Sequence, residues 1–114
     1  MSEEPRQITI QDFMSIELRV GKILSCERVP KSKKLLRMQV DLGTEMRQIL
    51  AGLSQFYLPE EMVGRRVGVV ANLQPATLMG LESQGMILAT DSGDAGTPAL
   101  VAIPEGVPLG SRIR

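Results

Sequence analysis

Residues 36–42 read Leu36-Arg37-Met38-Gln39-Val40-Asp41-Leu42, apolar at every second position and polar between. A repeat of two is that of a β-strand with one face on a core and the other in water. A helix would scatter these four apolar side chains around its axis. A lone strand leaves its backbone N–H and C=O groups unpaired, so this one demands neighbours. Candidates stand on both sides. Leu42-Gly43-Thr44-Glu45 makes a tight reversal into a further strand over residues 46–51. Pro30-Lys31-Ser32-Lys33-Lys34 makes a turn back to a strand over residues 18–27. In that first strand Leu18 and Val20 share a face, and after Gly21 the apolar phase slips to Ile23 and Leu24. A glycine at a phase slip predicts a bulge and a sharp bend.

The flanking segments are shorter. Thr9 or Asp12 can cap one helical turn ahead of Phe13 and Met14. Pro59-Glu60-Glu61-Met62 carries a helix-start signature, a proline followed by two acids, and Gly64 ends that helix after one or two turns. Residues 65–71 form a fourth strand and residues 85–90 a fifth; between them, residues 72–84 lack alternation. Residues 91–96 are a loop by composition, residues 98–103 a further short strand, and Pro104, Pro108 and Gly110 break the tail.

Three strands, a short helix and two strands are the layout of the OB-fold. The expected class is therefore all-β: a five-stranded Greek-key barrel with a short helix between strands 3 and 4, plus N- and C-terminal extensions. An SH3-like barrel or a sandwich is the alternative for a small all-β chain, and the bulged first strand and the interposed helix favour the OB-fold. With 114 residues one domain is expected. Its boundaries are residues 8–114, with 1–7 as a flexible N-terminus or the remnant of a linker.

Chemistry is narrowly bounded. The chain has no His, which removes imidazole-based catalysis and imidazole metal sites. A single cysteine, Cys26, excludes an internal disulfide and a multi-Cys zinc site, and it reads as a small buried hydrophobe in a strand. No Walker loop or other phosphate-cradling glycine pattern is present. Glu60 and Glu61 are explained by the helix start they occupy. The expectation is a protein without catalytic residues, cofactor or metal. The acidic start of the chain and the lack of a long apolar run predict no secretory signal and no membrane span, and the lone cysteine fits a reducing cytoplasm.

The formal net charge is zero, with 13 basic and 13 acidic residues, yet the charge is unevenly placed. Residues 19–37 carry Arg19, Lys22, Arg28, Lys31, Lys33, Lys34 and Arg37 against one acid, Glu27. Local clustering, more than the total, makes a footprint for a polyanion. In an OB-fold the loops joining strands 1 to 2 and 4 to 5 flank the binding face. The first here holds Lys31, Lys33 and Lys34, which can meet phosphate oxygens. The second spans residues 72–85. In it Leu73, Leu78, Met79 and Leu81 are expected to plug the barrel end, and Asn72, Glu82, Ser83 and Gln84 to face a ligand. An aromatic share of 3 % argues against serial base stacking on rings.

Asp12-Phe13, Leu18-Arg19-Val20-Gly21-Lys22-Ile23, Val40-Asp41-Leu42-Gly43, Tyr57-Leu58-Pro59-Glu60-Glu61, Asn72-Leu73-Gln74-Pro75 and Gly80-Leu81-Glu82-Ser83-Gln84-Gly85-Met86 occur in that order. Together they resemble the tRNA-binding domain at the C-terminus of bacterial methionyl-tRNA synthetase, also found in free-standing structure-specific tRNA-binding proteins and in endothelial monocyte-activating polypeptide. The resemblance covers residues 8–114. It implies an OB-fold that binds tRNA without catalysis, a homodimer built through the terminal extensions, and in some members a synthetase catalytic domain in the same chain. The dimer would cover the apolar tail Ala99-Leu100-Val101-Ala102-Ile103. By motif match the resemblance gives Lys34, Asn72, Ser83 and Met86 to tRNA. Lys33, Arg37 and Arg47 are added on charge and expected placement.

The sequence departs from the family at Lys33, which stands where an acid is usual, and at Ala51-Gly52-Leu53, where Ser-Gly-Ile is usual. A secretion-associated, peptide-binding chaperone branch of the same fold is the alternative; the Glu82 to Met86 element favours the tRNA branch. A dimerisation or assembly module whose basic loop meets another protein is a third reading.

Overall fold

The computed structural model describes residues 6–91 and 96–114. The first five residues of the anticipated flexible N-terminus and most of the loop expected at 91–96 lie outside them. A single turn of helix α1, Ile10–Met14, opens the chain. Thr9 Oγ1 accepts the Asp12 N–H, and Asp12 Oδ2 accepts the Thr9 N–H, a reciprocal cap. Strands β1 (Leu18–Arg28), β2 (Leu36–Asp41) and β3 (Met46–Ala51) follow as an antiparallel meander. Helix α2, Pro59–Met62, is one turn with proline in its first turn and Met62 fully buried. Strand β4 (Arg66–Val70) then returns to pair with β1. Next come β5 (Ala76–Leu78), β6 (Leu81–Ser83), β7 (Met86–Ile87) and β8 (Arg112–Ile113).

The main sheet runs β3-β2-β1-β4-β7, with β8 joining the start of β1. The result is a nearly closed five-stranded barrel of the OB-fold class. Strand β1 is shared: residues 18–22 pair with β4 and residues 22–28 with β2. The bend this requires has two causes. The pairing with β2 shifts register between Ile23 and Ser25, so the bulge falls after the glycine and not on it. Gly21 instead supplies space, because a Cβ there would come 2.6 Å from Val40 Cγ1 and 3.1 Å from Val69 Cγ2. The period-2 strand behaves as read: Leu36, Met38 and Val40 are buried and pack with Ile23, Ile49, Met62, Val67 and Val69.

The C-terminal half departs from the sequence reading. The expected fifth strand over 85–90 is reduced to Met86–Ile87. The expected strand over 98–103 survives as two isolated bridges, Ala89 with Leu100 and Val67 with Ala102. Prolines at 98 and 104 bracket this segment and cannot donate ladder hydrogen bonds. The stretch without alternation is a separate hairpin of β5 and β6. Of the four residues expected to plug the barrel, Leu73, Leu78 and Met79 are exposed and Leu81 is half-buried. Leu42, Leu53 and Met62, from the turns and α2, complete the core instead. Strand β8 is only two residues long and carries no alternation in the sequence. It is held as the tail crosses the barrel end, where the Gly110 N–H donates to the Val20 carbonyl and the Val20 N–H to the Ser111 carbonyl.

Candidate nucleic-acid interface

The turn between β1 and β2 is ordered by its own backbone. Ser32 Oγ accepts the N–H groups of Lys34 and Leu35, and the Ser32 N–H donates to the Val29 carbonyl. Val29 is buried and anchors the turn, while Lys31, Lys33 and Lys34 are exposed. Among the described residues the ion pairs are Arg19 with Glu17, Arg37 with Glu27 and Arg47 with Glu45. The three lysines of the turn therefore keep their charge unneutralised, which is what a polyanion contact requires.

Beyond the turn the outward face of β2 presents Arg37 and Gln39. Arg37 lies opposite Glu27 in the register, with its Nε 3.6 Å from Glu27 Oε1 and without a hydrogen-bond partner. Its charge is only partly offset. Gln39 donates to Gln48 of β3, and Gln48 donates to the Glu82 carbonyl at 2.8 Å. The Lys34 carbonyl accepts the Ser54 N–H at 2.9 Å, which ties the basic turn to the segment after β3. There a groove of about 370 Å³ opens between residues 50–53 and Met86, Ile87 and Thr90. Met86 is 47 % exposed on it. Phe56 is exposed in the segment after Ser54.

The remaining expected residues are placed differently. Ser83 is 6 % exposed, with its hydroxyl engaged by the backbone. Its Oγ accepts the Leu50 N–H at 3.0 Å and donates to the Gly85 carbonyl. Gln84, expected at the surface, is half-buried, and exchanges bonds with the Gln48 backbone through its Oε1 and its N–H. Asn72 uses its amide to hold the N-terminal segment, accepting from the Glu17 N–H and donating to the Ser15 carbonyl, both at 2.8 Å. Arg47 reaches the Ala71 and Gln84 carbonyls through Nη1 and pairs with Glu45, whose carboxyl it holds below the usual carboxylate range. Of the second loop's polar set Asn72 and Glu82 are exposed, and the Asn72 amide is engaged by the two bonds just given.

Cys26 is half-buried and packs against the core. Burial, then the nearby carboxylates of Glu27 and Glu60, push its thiol up to about 11, so at neutral pH it is protonated and a poor nucleophile. Among the described residues no cluster of three or more candidate metal ligands occurs, and no helix is long and apolar enough to cross a membrane.

The fold is thus a nearly closed β-barrel of the OB-fold class with exposed lysines on its first inter-strand turn and a groove near it. The chain belongs to the family described as "Putative tRNA binding domain", which matches residues 18–112. It is 51 % identical over 113 residues to a methionine–tRNA ligase of Thermotoga maritima, covering 99 % of this chain and 18 % of that protein. It is 53 % identical over 108 residues to that of Clostridium acetobutylicum, covering 95 % of this chain and 17 % of that protein. The chain thus spans less than a fifth of the length of these curated relatives. Among solved structures it is similar to a MetRS-related protein from Pyrococcus horikoshii, with TM-score 0.90 and 33 % identity over 96 % of this chain and all of that one. It is also similar to the chaperone CsaA of Bacillus anthracis, with TM-score 0.83 and 26 % identity over 96 % of this chain and all of that one.

Proposed function

We propose that this chain binds tRNA by its shape and without catalysis, as the C-terminal appendix of a methionyl-tRNA synthetase or as a free-standing tRNA-binding protein of the cytoplasm. The family match across residues 18–112 carries this reading. Lys33 and Lys34 attract the phosphate backbone and Arg37 extends the cationic track along β2. Met86 meets the RNA at the groove. Arg47, Asn72 and Ser83 serve the same surface from behind, by holding the ends of β3, β4 and the second loop through the bonds described above. Residues 8–114 act as one binding domain. The chain works as a homodimer, supported by the exposed apolar residues Ile8, Ile10, Ile16 and Val101 on the two extensions.

A gel shift with folded tRNA tests the function. The unmodified chain shifts tRNA, an unfolded polypeptide in excess does not displace it, and Lys33→Glu/Lys34→Glu abolishes the shift while circular dichroism stays unchanged. The likeness to CsaA supports a second reading, a peptide-binding chaperone-like dimer. Displacement of tRNA by the polypeptide would favour it, whereas unaltered tRNA affinity in the double variant would overturn the assignment of the site to the lysine turn.

A further inference from the structure

The β5–β6 hairpin breaks two local rules at one point. Leu78 pairs with Leu81, so the turn consists of Met79 and Gly80 alone, with φ of 52° and 78°. Two successive positive φ values make a type I′ turn, whose favoured pair is Asn-Gly. Glycine takes this conformation freely, but methionine is strained there, with no short polar side chain to bond the local backbone. The tip is also apolar in water: Met79 is 56 % exposed, and Leu78 and Leu73 are exposed with it. Neither turn chemistry nor burial asks for these side chains. Residues that break a local rule without a structural return point to a function.

The position of the tip names the occupant. Strand β6 is fixed to β3 by Ser83 with Leu50 and by Gln48 with the Glu82 carbonyl. Gln48 also accepts from Gln39, and the next outward residue on β2 is Arg37, towards the lysine turn. A run of hydrogen-bonded side chains therefore links the strand that carries the apolar tip to the strand that leads to the cations. Glu82 lies across from Thr77 in the hairpin and disfavours a phosphate there. A nucleobase, with its flat apolar face, suits the tip better.

We propose that Leu78 and Met79 form an apolar wedge that packs against unpaired bases of the RNA held by the lysine turn, so the hairpin selects folded RNA with exposed bases over plain duplex. This rests on the tRNA reading above. Leucine and methionine are side chains that wedge against base stacks, and unpaired loop bases are where RNA is read. Of the chain's three aromatics, Tyr57 is already engaged, donating to the Pro98 carbonyl with Arg65 over its ring.

The test is Leu78→Thr/Met79→Asn, which installs the favoured Asn-Gly turn and so keeps or raises thermal stability. At fixed salt its tRNA affinity falls about tenfold, the loss of one buried anchor. Its affinity for a perfect RNA duplex of similar length does not change, nor does the salt dependence of tRNA binding. Unchanged tRNA affinity, an equal fall for duplex and tRNA, or a change in sedimentation mass with RNA binding intact would overturn the wedge. The last would mean that a second copy covers the tip. These outcomes leave the tRNA reading standing, whereas failure of the unmodified chain to bind tRNA would remove both.

Discussion

The β1–β2 turn and the seam between β3 and β6–β7 are both rich in polar side chains and are built in opposite ways. In the turn the backbone is held by Ser32 and by a buried Val29, which leaves Lys31, Lys33 and Lys34 unpaired. In the seam Arg47, Gln48, Ser83 and Gln84 all bond to backbone groups across it, where a regular ladder would otherwise run. Polar residues that look alike in sequence thus divide into those free to meet a partner and those that hold the barrel shut. The contrast predicts that seam substitutions cost stability and that turn substitutions cost binding.

Ser83→Ala should have the largest effect on stability. It leaves the buried Leu50 N–H without its partner, a loss of about 1–3 kcal/mol in urea unfolding. A cost near zero would mean that water reaches the seam. Asn72→Ala removes two bonds at a more exposed position and should cost about 1 kcal/mol. Its tRNA affinity, measured where the variant is fully folded, should fall less than that of the lysine variants. A larger fall would move Asn72 from the holding group to the contacting group. Lys33→Ala/Lys34→Ala should change stability by less than about 0.5 kcal/mol, since neither side chain is buried.

The same division explains what was legible in the sequence. Strands β1 to β3 and helix α2 follow from period-2 alternation, a glycine-bearing reversal and a proline-acid start, signals that lie within each segment. The seam has no such signal. Ser83 bonds Leu50, 33 residues away, and nothing near either residue announces the pairing. The β5–β6 hairpin escaped notice because its turn pair is Met79-Gly80 and not an Asn-Gly pair. With the hairpin unseen, its leucines read as a plug. The basic cluster, by contrast, was visible as a count, and the fold gathers the part at residues 31–34 on one turn. Arg19, Arg37 and Arg47 show the limit of counting, since each already has a carboxylate nearby.

A chain of zero net charge captures tRNA through a local set of unpaired lysines only if binding releases counterions there. The direct measurement is the slope of log affinity for folded tRNA against log salt, for the unmodified chain and for Lys33→Ala/Lys34→Ala. The predicted result is a steep negative slope that becomes shallower by about 1.5 in the double variant, close to the value for two lost phosphate contacts. An identical slope in the two proteins would contradict it and place the RNA elsewhere on the barrel.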